Sequence, residues 1–338
     1  MKELIRMVLQ IMGAGTLFLL LVPLMAVLLL GEGLDGLGSG NEEPMEFAGR
    51  VETPGTIRVW LEEKDKVTEV DFEEYVCHVV ASEMPDRFHE EALKAQSVAA
   101  RTYAMARLEK YGDSGPEAHP DAPVCSTTHC QVYKSEKELI ESHKEGWEED
   151  GWKKIQKACR ATEGQLLYYD GKLVMQPLFF SSSGGQTENS EDVFVSAVPY
   201  LVSVASPFEE EATHQDEETK MSLKDFAKKI KNTYPDRDLG SINQSTIKIL
   251  SRTAGGRVAE MRAGDGSEGI LKGTEVRTAL GLSSALFTVR FEGENIIFTS
   301  SGSGHGVGLS QYGADGMAKE GFDCKEILQH YYSGTEVY

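Results

Sequence analysis

The longest run of apolar positions lies at the N-terminus of the chain. Residues 7–30 are nearly all apolar, and as a helix they would rise about 36 Å, which exceeds the roughly 30 Å hydrocarbon core of a bilayer. Lys2 and Arg6 precede this run and acidic, glycine-rich sequence follows it, so the positive-inside rule predicts a cytoplasmic N-terminus. We therefore expect a single-pass membrane protein with a cytoplasmic stub at residues 1–6, a transmembrane anchor at 7–30, a flexible tether at 31–49 and an extracytoplasmic domain at 50–338.

A cleaved signal peptide is the alternative interpretation of this run. The apolar stretch is longer than the roughly 7 to 15 residues usual in signal peptides, and no small-residue cleavage site follows it. Both features favour the uncleaved anchor.

Alternation of apolar and polar positions predicts antiparallel hairpins in the rest of the chain. Two strand-like runs flank a turn in each of four segments, at residues 56–70, 166–180, 246–263 and 286–301. A basic amphipathic helix is expected at residues 222–232, inside a possible inserted subdomain at 207–280.

Apolar residues recur at helical spacing after the first hairpin, and a glutamate occupies the last position of this stripe. After Asp71, a typical capping residue, apolar side chains recur at helical spacing up to Val80. Glu83 is the next position on that stripe, and Pro85 then ends the helix. Burial there would raise the pKa of its carboxyl group. The simpler alternative is a glutamate at a helix end that faces water.

A second helix is expected from about Glu90 to Lys110, where frequent alanines allow neighbouring elements to pack closely. Gln96 lies among these alanines. A buried amide is commonly a structural hydrogen-bonding group; the alternative is that it contacts a substrate or the Glu83 side chain.

Two later segments consist of small residues. Glycines alternate around His305 in residues 302–308, and serines precede glycines in residues 181–185. Such a backbone can be approached closely, so the pair suggests the walls of a groove that admits a polymer, with ordinary turns as the alternative. The sequence thus predicts an α+β fold in which antiparallel hairpins and a few helices surround a substrate groove.

Composition and missing motifs exclude several classes of function. The chain of 338 residues is 40% hydrophobic, so it can form a sizeable core, and its net charge of −20 disfavours binding to nucleic acid. It contains no GxxxxGK[ST] phosphate loop, no HExxH zinc motif and no GxSxG nucleophile elbow.

A loop after the second helix carries the residue types of a zinc site. Cys125, Cys130, His119 and His129 lie within a dozen residues, although their spacing is not the usual CxxC. A disulfide between Cys125 and Cys130, or free thiols, is the alternative.

Long blocks of the sequence resemble a known family. In order, they lie at residues 74–104, 129–133, 161–174, 179–187, 199–201, 277–287, 302–322 and 327–335. They cover nearly the whole chain beyond the tether, and they resemble the stage II sporulation protein D family.

The resemblance implies a peptidoglycan lytic transglycosylase that acts during engulfment in endospore formation. Such an enzyme cuts the MurNAc–GlcNAc bond of glycan strands that have lost their stem peptides, and it leaves 1,6-anhydroMurNAc ends. The family's catalytic acid corresponds to Glu83. One carboxyl group suffices because the sugar's own 6-hydroxyl attacks, whereas hydrolytic glycosidases use two.

The resemblance also implies substrate-binding residues. Lys94 and Arg101 would bind the lactyl carboxylates of MurNAc or orient Glu83, and Tyr200 would stack on a sugar. The other expected contacts are Gln96, Ser181, Ser182, His305, Ser310, Gln311 and Tyr312, the last four lining the groove opposite Glu83. The chain has Phe208 and Glu209 where the family pattern has Trp and Asp, which leaves the role of Glu209 open.

Cofactor and partners follow from the same resemblance. Zinc would be held by His119, Cys125 and Cys130, with His129 as a substitute ligand, in a structural or substrate-orienting role. The expected partners are glycan strands, the membrane, and stage II sporulation proteins P and M. The expected location is the engulfing septal membrane of a sporulating cell.

Other functions fit parts of the same sequence. Ser310 and His305 suggest a serine-dependent peptidoglycan hydrolase, and the Cys/His loop suggests a zinc amidase. A membrane-anchored scaffold that binds the wall without cutting it is the non-enzymatic alternative.

Overall fold

The computed structural model describes residues 51–338, which form a mixed α and β structure. Within this range no helix combines the length and the apolar character needed to cross a bilayer. The stub, anchor and tether expected at residues 1–49 lie outside the described residues.

Short strands and helices alternate along the chain. The strands are β1 (Thr56–Leu61), β2 (Lys66–Asp71), β3 (Val124–Cys125), β4 (Leu167–Tyr169), β5 (Lys172–Leu173), β6 (Phe179–Phe180), β7 (Glu217–Ser222), β8 (Lys248–Arg252), β9 (Val258–Arg262), β10 (Ile270–Lys272), β11 (Phe287–Glu292), β12 (Asn295–Ser300), β13 (Leu309–Ser310) and β14 (Thr335–Val337). The α-helices are α1 (Phe72–Glu83), α2 (Glu90–Tyr111), α3 (Glu136–Ser142), α4 (Lys153–Ala161), α5 (Ser190–Val193), α6 (Leu223–Thr233), α7 (Gly273–Leu280), α8 (Gln311–Lys319) and α9 (Cys324–Tyr331).

The four hairpins predicted from alternation are confirmed. They are the antiparallel pairs β1–β2, β4–β5, β8–β9 and β11–β12. Antiparallel third strands extend three of them: β14 beside β4, β10 beside β9, and β7 beside β12.

Two short parallel pairs were not predicted. β3 lies beside β1, and β6 lies beside β13, with two residue pairs each. Each joins segments far apart in sequence, so neither leaves a local turn signal. The first attaches the loop that contains Cys125 to the hairpin that precedes α1.

The long helix α2 is the centre of one part of the core, where it packs against α1, α4, α8 and α9. Its inward faces are largely alanine, and small side chains let helix axes come close. Arg101 lies fully buried on this helix, and its guanidinium donates to both carboxylate oxygens of Glu73.

A separate group of buried apolar side chains runs from Phe226 on α6 to Phe298 on β12. It includes residues of β9, β10 and α7. The inserted subdomain expected at residues 207–280 stays a prediction. The helix expected at residues 222–232 is α6, and its N-cap is Ser222.

Glu209 connects three segments inside the fold. Its side chain is 6% exposed. It accepts hydrogen bonds from the backbone N–H groups of Ser183 and Gly184 and from the hydroxyls of Ser206 and Ser310. This carboxylate therefore fixes the small-residue segment 181–185 against the start of α8.

Replacing Glu209 by alanine should destabilise the protein by about 2 to 4 kcal/mol, because it leaves buried donors without acceptors. Urea unfolding of the full-length chain in detergent measures this change. Glu210→Ala, at the exposed neighbouring position, is the matched control. Equal losses in both variants would contradict the structural role of Glu209.

Candidate functional site

A cleft of about 530 Å³ opens where α1 ends. One side carries Glu83, Tyr103 and the Cys/His loop, and the other carries β6 and the glycine-rich segment around His305. The lining residues are Glu83, Tyr103, Thr128, His129, Cys130, Pro177, Leu178, Phe179, Phe180, Phe194, Arg277, Gly304 and His305. The predicted groove between Glu83 and His305 is thus present in the structure.

Glu83 is the last residue of α1, because Pro85 disfavours a helical conformation at Met84. Val79 and Val80, one turn earlier, are fully buried, and helical spacing puts Glu83 on the same face. Burial raises the pKa of the Glu83 carboxyl, although a 2.6 Å hydrogen bond from the backbone N–H of Val132 opposes that rise. The cleft therefore holds an acid that keeps its proton to a higher pH than an ordinary glutamate.

His305 lies on the opposite wall as a neutral imidazole. Burial lowers its pKa to about 4. Nε2 lies 3.0 Å from the carbonyl oxygen of Phe179, and Nδ1 accepts from the backbone N–H of Val307. Both ring nitrogens are engaged, so this histidine shapes the wall and is poorly placed to move protons.

The glycines around His305 are required by the protein's own packing. Gly304 and Gly306 have positive φ angles of 106° and 87°, a region that disfavours other residues. A Cβ atom at Gly304 would lie 2.8 Å from Cβ of Phe180, and one at Gly306 would lie 2.4 Å from Cζ of Arg257. The sequence suggested that a polymer approaches these glycines closely. In the structure, side chains of the protein itself, those of Phe180 and Arg257, approach them.

The predicted zinc ligands come together beside Glu83. The ligand atoms of His119, Cys125, His129 and Cys130 all lie within 4.8 Å of one another. Nε2 of His119 lies 3.3 Å from Nδ1 of His129 and 3.5 Å from Sγ of Cys130. Nδ1 of His129 lies 3.7 Å from each of the two sulfur atoms.

These spacings fit the edges of a tetrahedral zinc site. With bonds of about 2.05 Å to nitrogen and about 2.3 Å to sulfur, the edges are about 3.3 Å between nitrogens and about 3.6 Å between nitrogen and sulfur. Nδ1 of His119 lies 2.8 Å from the carbonyl oxygen of Ala122, which leaves Nε2 free to ligate. A hydrogen bond from Cys130 lowers the pKa of the Cys125 thiol and favours the thiolate. The four residues fit zinc as a closed set of ligands.

The basic residues expected to bind substrate lie elsewhere. Lys94 pairs with Glu90 and Glu91 on its own helix and lines a different cleft of about 630 Å³. Arg101 is buried against Glu73. Gln96 is also buried, and its Oε1 accepts from the amide of Gln311.

The remaining expected contacts are mostly buried and do not line the Glu83 cleft. Ser310 donates to Glu209, and Tyr312 accepts from Arg87. The hydroxyl of Tyr200 accepts from the backbone N–H of Gln176. Of the residues expected opposite Glu83, His305 lines the cleft, whereas Ser310, Gln311 and Tyr312 lie behind its wall.

Ser181 and Ser182 also lie outside the lining. The backbone of Ser182 pairs with that of Ser303 in an antiparallel bridge. The carbonyl of Ser181 accepts from the backbone N–H of Tyr312. Both serines hold the wall through main-chain bonds.

Sequence reasoning did not assign Phe194, Arg277 or Tyr103 to the cleft. Phe194 is 44% exposed, and its ring centroid lies 5.7 Å from that of His305. Arg277 and Tyr103 line the same cleft. Arg277 lies within a block that carried the resemblance, but only tertiary structure shows that it reaches the cleft.

Comparison with known proteins finds two family models and several relatives. Residues 62–169 match the family described as Stage II sporulation protein, and residues 202–308 match a domain of unknown function. The chain is 38% identical over 290 residues to Stage II sporulation protein D of Bacillus amyloliquefaciens, covering 85% of this chain and 79% of that protein. Stage II sporulation protein D of Bacillus subtilis is 38% identical over 286 residues, covering 84% and 79%. An amidase enhancer of Bacillus subtilis is 29% identical over 302 residues, which are 76% of this chain and 39% of that protein.

The raised pKa of Glu83 predicts a pH-dependent stability. The folded state binds this proton more tightly than the unfolded chain, so the stability due to this group is present below the ordinary glutamate pKa. It is lost as pH rises through the raised pKa. Glu83→Gln keeps an oxygen that can accept from Val132 but cannot ionise. The thermal midpoint of this variant, relative to the wild type, should therefore be higher at about pH 8 than at about pH 4.

Differential scanning calorimetry at the two pH values measures the effect. Glu74→Gln is the matched control, since it removes an exposed carboxyl from the same helix. A midpoint difference for Glu83→Gln that does not change with pH would show that burial does not raise the pKa of Glu83.

Proposed function

Because the chain belongs to the stage II sporulation protein D family, we propose that it is a peptidoglycan lytic transglycosylase of sporulation. Its substrate would be glycan strands stripped of their stem peptides. Cutting at MurNAc–GlcNAc bonds would leave 1,6-anhydroMurNAc ends.

One observation carries this proposal. Among the residues that line the 530 Å³ cleft, Glu83 is the single carboxylic acid. Glycosidases that use water need a second carboxylate to activate water or to attack the sugar. A cleft with one acid suits a reaction in which the substrate supplies its own nucleophile.

The geometry supports a two-step use of the same carboxyl group. Protonated Glu83 gives its proton to the glycosidic oxygen as the bond from that oxygen to C1 of MurNAc breaks. The 6-hydroxyl oxygen of the same MurNAc then bonds to C1, and its proton passes to Glu83. The enzyme returns to its starting state, and no water is consumed.

The surroundings of Glu83 fit both steps. Burial raises the pKa of Glu83 and so favours the protonated acid, and the backbone N–H of Val132 would stabilise the carboxylate that forms. The aromatic side chains of Phe179 and Phe194 give the cleft apolar surfaces for sugar rings.

The contacts of other residues count against the alternative hydrolases. The hydroxyl of Ser310 donates to Glu209, and both nitrogens of His305 are engaged elsewhere, so these two residues do not form a serine–histidine pair. A zinc amidase needs an open ligand position for water, whereas four protein ligands would close this site. Detection of an anhydro product would exclude a scaffold that binds without cutting.

We also propose that the Cys/His loop holds a structural zinc ion through His119, Cys125, His129 and Cys130. A zinc ion would cross-link the loop by connecting these four side chains, since Cys125 and Cys130 are not joined by a disulfide. Val132 follows the last ligand by two residues, so an ordered loop would also hold the hydrogen-bond donor of Glu83 in place.

Membrane attachment and partners complete the proposal. A single N-terminal span at residues 7–30 would place the cleft on the outer side, at the engulfing septal membrane, in reach of glycan strands. Stage II sporulation proteins P and M would be partners, the first because an amidase must remove stem peptides before the strands fit. The similarity to an amidase enhancer supports joint action with an amidase.

Digestion of peptide-free strands by the full-length chain in detergent should yield 1,6-anhydroMurNAc ends. Glu83→Gln should lower the rate of product formation by roughly 10²- to 10⁴-fold, the contribution usual for general acid–base catalysis. Mass spectrometry of the products gives the rate, and Glu74→Gln is the control. Reducing ends formed with water, or strands bound but uncut, would refute the transglycosylase.

Metal content tests the zinc proposal. Purified full-length chain should contain about one zinc ion per molecule by elemental analysis, and a chelator should lower the thermal midpoint. Cys125→Ser should lose the metal, whereas Cys324→Ser, remote from the cluster, should retain it. Equal zinc content in the two variants would rule out this ligand set.

A further inference from the structure

The proposed substrate raises an electrostatic problem. Removal of the stem peptide turns the lactyl amide of each MurNAc into a free carboxylate, so a stripped strand is a polyanion. The protein carries a net charge of −20 and repels such a strand at long range. A binding cleft on this protein therefore needs a local positive charge.

The basic residues suggested by the sequence do not meet this need. Lys94 is paired with two glutamates, and Arg101 is enclosed with Glu73. Among the residues that line the Glu83 cleft, Arg277 has the only permanent positive charge.

Arg277 is positioned with its guanidinium largely unused. It lies near the end of α7, and Nε donates to the carbonyl oxygen of Leu282. Within residues 51–338 no carboxylate lies within ion-pair distance of it. Its two Nη groups are thus available as a fork, the geometry that binds a carboxylate through two parallel hydrogen bonds.

The surroundings of Arg277 favour an anion. Burial lowers its pKa, and the nearby positive charge of Arg257 lowers it further. Arg257 is itself paired with Glu188. A half-buried cation beside another cation is unfavourable, and a bound carboxylate would relieve both the burial and the repulsion.

We propose that Arg277 binds the free lactyl carboxylate of MurNAc and thereby selects strands from which the stem peptide has been removed. The proposal rests on the proposed function, since it concerns the same cleft. A peptide-bearing lactyl group is an uncharged amide and offers no carboxylate to the guanidinium. Specificity for stripped strands then comes from one charged contact.

Strand binding tests this without requiring cleavage. Full-length Glu83→Gln in detergent is titrated into fluorescent peptide-free strands, either as free acids or with their lactyl carboxylates converted to methylamides. Amidation should weaken binding roughly ten- to hundredfold, the usual contribution of a charge-assisted hydrogen bond. The double variant Glu83→Gln/Arg277→Gln should bind free-acid strands more weakly than Glu83→Gln by a similar factor. The two proteins should bind amidated strands with nearly equal affinity.

Control variants separate charge from folding. Arg160→Gln removes an exposed arginine from α4 and should leave both affinities unchanged. Arg277→Lys keeps the charge without the fork and should recover part of the loss. Thermal midpoints show whether each variant is folded.

The outcomes distinguish this proposal from the function on which it rests. Equal affinity for free and amidated strands would overturn the role of Arg277 whether or not the wild type cuts. An Arg277→Gln variant that weakens both substrates equally would also overturn it, as would full retention of affinity in that variant. If the Glu83→Gln protein shows the predicted binding pattern but the wild type makes no anhydro product, the role of Arg277 is supported and the transglycosylase is rejected.

Discussion

The hydrogen bond from the backbone N–H of Val132 to Glu83 joins the parts on which the proposed site depends. It connects the end of α1 to the loop that contains the Cys/His cluster. The residue before Val132 anchors the same loop, because Gln131 donates to the hydroxyl of Tyr75 and to the carbonyl of Ala100. The position of the Glu83 carboxyl group therefore depends on the conformation of this loop. A metal that orders the loop would order the surroundings of the acid without entering the reaction.

Glu209 is buried and Glu83 is half-buried, and their surroundings suit them to different roles. Glu209 accepts hydrogen bonds from four groups, and these bonds hold residues 181–185 against the start of α8. Within residues 51–338, Glu83 accepts a hydrogen bond from Val132 alone, and it lines the cleft. Hydrogen-bond donors around a carboxyl group favour its charged form, whereas burial with few donors raises its pKa, as it does for Glu83. The same residue type therefore serves as scaffold in one place and as a candidate acid in the other.

The sequence predicted local features well because their causes are local. Alternation predicted the hairpins, and the apolar stripe that begins after Asp71 predicted α1. The stripe placed Glu83 in line with the buried side chains but left open whether its carboxyl group faces water. Ligand type and proximity in sequence suggested a metal site in the Cys/His loop, with a disulfide or free thiols as the alternative, and the structure brings the four side chains together. The resemblance to a family added the expected activity, which spacing alone did not give.

Partners distant in sequence could not be predicted. Nothing around Arg101 shows that Glu73, on the preceding helix, will enclose it. Nothing around Arg277 shows that it reaches the cleft of Glu83. Glycine spacing around His305 predicted a close approach, but only the structure shows that Phe180 and Arg257 make it. Charge and conformation are read from sequence, whereas the pairing of charges is a property of the fold.

We propose that one carboxyl group suffices because the substrate supplies the nucleophile. Digestion of peptide-free strands in ¹⁸O-labelled water, with the products analysed by mass spectrometry, distinguishes this mechanism from hydrolysis. A transglycosylase should give new MurNAc ends that contain no heavy oxygen, since the 6-hydroxyl closes the anhydro ring. New ends that each carry one heavy oxygen would show that water attacks, and the single-acid mechanism at Glu83 would be wrong.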